Sequence, residues 1–318
     1  MTLQTARLVV CATVLIAASA VCAQTWPNRP VRFVTAAAGG GNDVGARILA
    51  QGLTERLGQQ VIVDNRGGAH VPQNTVAKAA PDGYTILVQN NTVWIAPLLE
   101  KTAYDHFREL SPMTLTGRAP NVLVVHPSYP IGSVKELIAA AKAAPGTINY
   151  ASGVAGSSNH VAAELFKAMA GVDLVRIGYK GTGPALMDVM AGQVKMIFAT
   201  TTSSLGHVKS GKLKALAITS AQPSPLTPGL PTVAASGVPG YAAEAIYGVW
   251  APAKTPAAIL NRLNQEIVGV LTTPQNRERL FTTGVEVVGS TPQAFAAEIK
   301  AESTRLEKVF RAAGIKAE

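Results

Sequence analysis

The sequence predicts an α/β protein of two lobes, with the chain crossing between them twice. Short apolar stretches alternate with amphipathic ones along most of the 318 residues, the pattern of strands wound with helices. Hydrophobic residues make up 47% of the chain but aromatic ones only 5%, so an Ala, Val, Leu and Ile core would let helices lie close on both faces of parallel strands. A self-contained alternating unit occupies the middle of the chain, followed by a mostly helical stretch. An unfinished first unit needs that stretch as cover, and this requires two crossover segments.

Taken in order, "VRFVTAA" from Val31 reads as a strand, and Asp43 to Leu57 as a helix with Val44, Ile48, Leu53 and Leu57 on one face. "VIVDN" is a second strand, Gln73 to Ala80 a second helix, and "APDGY" a turn into the strand "YTILVQ", which completes β-α-β-α-β. Asn91 to Ala119 shows no period and reads as irregular, and "NVLVVHP" is the next strand. The middle unit then runs helix Val134 to Ala144, strand "INYAS", helix Ser158 to Ala170, strand "VRIGY", helix Pro184 to Ala191, strand "KMIFAT", helix Ser203 to Ser210 and strand "LKALAIT". A Pro-rich segment, Gln222 to Gly240, closes it. "IYGVWAP" reads as a strand, and Ala257 to Leu271, Pro274 to Phe281 and Pro292 to Ala313 as helices. The expected lobes are residues 24–121 with 240–318, and residues 122–239, hinged near Val122 to His126 and Ile246 to Trp250. Such sheets take ligands in a cleft lined by the loops at their strand C-termini.

Met1 to Gln24 carries one cation, Arg7, an apolar run from Leu8 to Val21, and Val21-Cys22-Ala23, small enough at both ends for cleavage. That is the pattern of a secretory signal over residues 1–23. The run is shorter than a spanning helix needs, and Val21 is bulky where lipidation of Cys22 would want a small residue. Cys11 and Cys22, the sequence's 2 cysteines, both lie in this segment, so the exported chain would have no thiol for a disulfide, catalysis or a metal. About 295 residues at roughly 150 per domain fit two lobes. The net charge of +9, to which Arg7 contributes, is spread among 19 acidic side chains without a Lys/Arg run. This is a diffuse attraction for anions and not a nucleic-acid footprint.

Gly39, Gly40 and Gly41, between the first strand and its helix, should aim backbone N–H groups at an anion, either a nucleotide phosphate or a ligand carboxylate. The G-x-G-x-x-G fingerprint fails, since Val44 stands where the third glycine belongs and Gly45 comes one residue late. Asp64 does end the second strand where a ribose-binding acid would sit. The Walker pattern fails at Ala46, and a merely structural tight turn is the plain alternative. No G-x-S-x-G or H-E-x-x-H occurs, and His70, His106, His126, His160 and His207 are scattered. His160 and Glu164 share a helix face at a spacing that can hold a metal, but without a third ligand the pair reads as a helix contact. No catalytic residue, metal or cofactor is expected. "NYASGVAGSSNH" (Asn149 to His160) and "GYKGTGPA" (Gly178 to Ala185) repeat the passage from strand through glycines to a helix start. Ordinary capping accounts for any one of these loops, whereas loops from both lobes together could grip one carboxylated ligand from two sides.

"GGGND", "AKAAPDGYTILV", "NVLVVHPS", the long stretch from "NYASGVAGSSNH" to "MDVMAGQV", and "SGKLKALAIT" followed by "LPTVAASGVPGY" resemble, in order and spacing, the Bug-type periplasmic solute receptors of tripartite tricarboxylate transporters. The likeness runs over essentially all of the exported chain. It implies a type II periplasmic binding protein, of the Venus-flytrap kind. Such a receptor closes over a small carboxylate, acts as a monomer and delivers its ligand to membrane permease subunits, without being an enzyme. It further implies that the carboxylate is held mainly by backbone N–H groups at Ala37, Ala38, Gly39, Gly40, Gly41, Asn42 and Asp43, and at Ser152, Gly156, Ser157, Ser158 and Asn159. Tyr179, Lys180 and Gly181 lie near by, with Thr200 at the end of "KMIFAT". Gly40 should then resist a bulky β-branched side chain, through blocked approach and through a φ that suits glycine. The chain departs from the family in Ala36-Ala37-Ala38 where prolines are usual, in "RGGAHVPQN" with its unusual His70, and in Ala199-Thr200 where Asp-Asn is usual. Loss of an acid from the cleft favours a di- or tricarboxylate, aliphatic or aromatic, over an amino acid, with Arg66, His70 and Trp94 at the ligand's far end.

Overall fold

The computed structural model describes residues 26–68 and 70–312. The secretory segment, with its two cysteines, lies outside the described residues. Strands β1 (Val31–Thr35), β2 (Val61–Asn65) and β3 (Thr85–Asn90) alternate with α1 (Gly41–Leu57) and α2 (Val71–Ala77) as the apolar periods require. Both β2 and β3 pair with β1 in parallel. Helix α1 turns Ala46, Ile48, Leu49, Ala50, Leu53 and Leu57 inward, so Ile48, Leu53 and Leu57 of the expected face are buried while Val44 is only partly so.

The stretch expected to be irregular is ordered. Thr92–Leu99 forms α3, His106–Glu109 the one-turn α4, and β4 runs sixteen residues from Leu110 to Val125. Helix α3 is apolar and buried almost all round and contains Pro97, so it shows no period to read. The start of β4 was hidden by Pro112, Gly117 and Pro120. Its register shifts between Pro112 and Thr114 and again between Leu115 and Gly117, and such irregularities are where a strand tolerates these residues.

Beyond β4 the elements are α5 (Val134–Ala143), β5 (Asn149–Ser152), α6 (Ser158–Ala170), β6 (Val175–Gly178), α7 (Thr182–Met190), β7 (Met196–Thr200), α8 (Thr201–Lys209) and β8 (Lys214–Ile218). The chain then forms β9 (Glu244–Pro252), α9 (Ala257–Leu271), α10 (Pro274–Thr282), the two-residue β10 (Glu286–Val287), which the sequence did not announce, and α11 (Pro292–Ala312).

The strands order as β2-β1-β3-β9-β4-β7-β5-β6, with β8 and β10 also on β4. The N-terminal part of β4 pairs with β9 and β10, and its C-terminal part with β7 and β8, all antiparallel. One strand thus serves both lobes, and each lobe is mixed where wholly parallel sheets were expected. The change of partner falls at Pro120–Asn121, and β9 joins the first lobe from Glu244. Thr219 ties the two passages. Its backbone N–H donates to Asn121 O (2.9 Å), its carbonyl accepts from Ala243 N–H (2.9 Å), and its hydroxyl accepts from Asn121 N–H (2.7 Å). Of the segments expected as hinges, Val122 to His126 lies in the β4 ladders as far as Val125, and Ile246 to Trp250 lies in the β9 ladders. Trp94, Trp250 and Phe295 form the aromatic packing of the first lobe, and Phe166, Phe198 and Tyr241 that of the second.

Candidate ligand-binding cleft

Helices α1, α6, α7 and α8 begin at one cleft between the lobes, with their N-cap residues Gly40, Ser157, Gly181 and Thr200 in its wall. None of these four N-caps makes a side-chain capping hydrogen bond. Gly40 and Gly181 have no side chain to offer, and the Ser157 hydroxyl is spent on the Asn159 side chain. A helix start left uncapped presents donors and the positive end of its dipole, so four of them make this cleft an anion site. The cleft holds about 710 Å³ of empty space including its open mouth.

Side chains reinforce that field. Arg66 and Lys180 line the cleft, and among the described residues no Asp or Glu does; His70 lines it too, with its Nε2 on the Glu100 carboxylate. Tyr247 reaches it from β9. Burial raises the pKa of its phenol despite hydrogen bonds from Thr202 and Thr200, so the hydroxyl keeps its proton at neutral pH. The lobes stand close here. A Cβ at Gly41 would collide with the Tyr247 hydroxyl and with Thr202, one at Gly181 would lie 3.6 Å from Ala37 Cβ, and one at Gly156 would lie 2.6 Å from the backbone of Ala96.

Of the residues anticipated from sequence, Ala37, Ala38, Gly40, Gly41, Asn42, Ser157, Ser158, Lys180, Gly181, Thr200, Arg66 and His70 line the cleft. The rest stand behind it. Asp43 turns its carboxylate to Gly39 N–H (3.1 Å), Asn65 Nδ2 (2.9 Å) and Arg47 Nε (2.9 Å), closing the glycine loop from the rear. Burial alone would raise its pKa, but the hydrogen bonds from Asn65 and Gly39 and the Arg47 guanidinium outweigh burial and hold it below 3.8. Ser152 Oγ accepts from Arg176 Nε (2.8 Å), and Asn159 Oδ1 accepts from Gly153 N–H (3.1 Å) while its Nδ2 donates to Thr182 Oγ1 (3.1 Å). Gly156 donates its N–H to His160 Nδ1 (3.1 Å). The Tyr179 hydroxyl donates to Asp188 (2.6 Å), and burial, then this bond, pushes its pKa up to about 12. Trp94 is fully buried against Trp250 and Phe295.

Three sequence arguments change. Gly40 has φ −96°, a value any residue adopts, so only occlusion of the cleft argues against a side chain there. Ala199 is fully buried and packs with Val122, Val124 and Ile197 in the second lobe. The lack of an acid in the cleft therefore follows from its whole lining and not from this position. His160 and Glu164 face different partners, since Glu164 contacts the Tyr150 hydroxyl and Lys167 Nζ. Among the described residues no group of three His, Cys, Asp or Glu could hold a metal ion. Asp64 pairs with Arg66 (3.0 Å) and Arg32 (3.6 Å).

Gln73, Gln89, Asn90, Thr92, Thr182 and Tyr247 also line the cleft and were not anticipated. Gln89 and Asn90 could have been found, because they end β3 and strand C-termini face such clefts. Tyr247 arrives only because β9 inserts between β3 and β4.

Fold and cleft are those of a periplasmic binding protein. A family model described as "Tripartite tricarboxylate transporter family receptor" matches residues 45–315, and the chain belongs to that family. Protein BugT of Bordetella pertussis is 36% identical over 305 residues, 94% of this chain and 94% of its own. Among solved structures, R. palustris Rpa4515 with adipate has a TM-score of 0.89 and 34% identity, covering 92% of this chain and 100% of the other. The periplasmic binding protein BugD has a TM-score of 0.88 and 33% identity at the same coverage of 92% and 100%. The family is described as one of receptors, and BugD as a periplasmic binding protein.

Proposed function

We propose that this chain is exported through a cleavable signal over residues 1–23 and acts in the periplasm as a monomeric receptor. It closes residues 24–121 with 240–318 against residues 122–239 over a small di- or tricarboxylate, aliphatic or aromatic, and hands it to the permease subunits of a tripartite transporter. The convergence of four helix starts without side-chain caps on a cleft with no acidic lining carries the reading. One carboxylate is held by the backbone N–H groups of Gly40 to Asn42 and of Ser157 and Ser158, with Lys180 near by. The far end meets the wall that carries Arg66 and His70. Adipate in Rpa4515 supports the ligand class.

A thermal-shift screen of carboxylates and amino acids tests this. Bound ligand raises the melting temperature by mass action, and di- or tricarboxylates should raise it while leaving the screen chemically unchanged. Amino acids as the sole hits, or product formed in the mixtures, would overturn it.

A further inference from the structure

We propose that Tyr247 and Thr202 form a latch between the lobes, set where α1 and α8 begin and drawn tight when a ligand closes the cleft. This rests on the receptor reading above and goes beyond it by naming a contact that holds the closed form. Tyr247 belongs to β9 of the first lobe, where it pairs with Gly117 of β4 and Asn90 of β3, and it lines the cleft. Thr202 belongs to the first turn of α8 in the second lobe. Their hydroxyls stand 3.5 Å apart, and either can donate to the other.

Gly41 fixes the place of this contact. A Cβ on Gly41 would lie 2.2 Å from the Tyr247 hydroxyl and 2.5 Å from Thr202 Oγ1, so both oxygens converge on one point beside the start of α1. That start, Gly40 to Asn42, is where the carboxylate reading places the ligand. The hydroxyl pair therefore joins the lobes beside the ligand, and Tyr247 positions the second lobe through Thr202.

The contact is poised short of full strength. Hydroxyl pairs settle near about 2.8 Å, so about 0.7 Å of further approach completes this one. Thr201 keeps the gap small, because its hydroxyl donates to Gly284 O at 2.6 Å and seats the start of α8 on the first lobe. The seat is close: a Cβ on Gly284, at φ 89°, would lie 2.7 Å from Thr201 Cβ. A small rotation of the second lobe is then enough. Thr200, which lines the cleft at the head of α8, holds Thr202 from the other side, Oγ1 to Oγ1 at 2.7 Å. The phenol is buried, so it gains little from solvent and the shortened bond favours the closed form.

Calorimetric titration of the full chain with adipate and with malate tests this on Tyr247→Phe, Thr202→Val, the double variant and Thr202→Ser. Each of the first two should weaken binding about three- to tenfold. The double variant should lose no more than the larger single loss, and Thr202→Ser, which keeps the hydroxyl, should bind like the wild-type chain. A loss in Tyr247→Phe alone overturns the latch in favour of a direct contact between phenol and ligand. Losses that multiply in the double variant, or no loss in either single one, overturn it too. Amide hydrogen exchange of the wild-type chain gives a reading that stands even where a variant fails to fold: bound adipate or malate should slow exchange along α8, and unchanged exchange there overturns the latch while leaving the carboxylate reading intact. No binding of adipate, malate or citrate by the wild-type chain removes the carboxylate reading together with it.

Discussion

Lys180 and His160 show how differently two charged or chargeable residues can serve one cleft. Lys180 is exposed on the loop before α7, where water screens its ammonium, while the four helix starts present donors that need no side chain to be held in place. Lys180→Met should therefore weaken carboxylate binding by less than about tenfold, measured by titration calorimetry. A loss of several decades would transfer the capture of the carboxylate from amides to a salt bridge. His160 is buried, and burial, then Arg176 and Lys167, depress its pKa to about 3. Its neutral Nδ1 can thus accept the Gly156 N–H and fix the second-lobe loop. The unfolded chain takes up this proton near pH 6.5 and the folded chain does not, so stability is full above that pH and falls as the pH drops toward about 3. Denaturant titrations at several pH values should show that slope, at most about 1.4 kcal/mol per pH unit for one such group. His160→Gln should flatten it. Asp43, with its depressed pKa, acts in the same direction below pH 3.8.

At the scale of elements, the meeting of α3 with the loop before α6 decides how closely the lobes approach. Gly156 has φ 73°, and a Cβ there would sit 2.6 Å from both the Cα and the N of Ala96. Gly171, which caps α6 at φ 61°, has nothing within 4 Å of a built Cβ. Alanine at either site therefore bears the left-handed penalty of roughly 1–2 kcal/mol, but only Gly156→Ala wedges the lobes. Both variants should melt earlier by a similar amount. Ligand affinity should fall about tenfold or more in Gly156→Ala and stay near normal in Gly171→Ala, since 1.4 kcal/mol of hindered closure is a factor of ten.

The whole molecule is two mixed sheets sharing β4, with the passages between them joined at Thr219. If the chain bends at Pro120–Asn121 and the Thr219–Glu244 region, the ladders on either side stay whole and the lobes move as bodies. Small-angle scattering should show the radius of gyration falling when a bound carboxylate is added, as the population shifts toward the closed arrangement. An unchanged radius with binding confirmed by calorimetry would mean that the cleft is permanently closed and loads without lobe motion.

What the sequence determined by itself was local. Apolar periods placed most strands and helices, because burial imposes a period of two or 3.6 wherever one face is wet. The three glycine loops pointed to an anion because each led from a strand into a helix start, whose backbone N–H groups lack partners within the helix; that none of the starts carries a side-chain cap, Ser157 included, came from the structure. Tertiary structure decided the rest. It showed that Asp43 and Ser152 brace loops and that Trp94 packs the core, since a side chain's direction depends on neighbours far along the chain. It ordered α3 and the start of β4, where complete burial removes the period and bulges absorb the prolines. It inserted β9 beside β3 and so brought Tyr247 to Gly41. And it brought Asn42 to the same cleft as His70 and Gln73, which neighbour each other at the start of α2, because strand order is set by which faces must be covered and not by proximity in sequence.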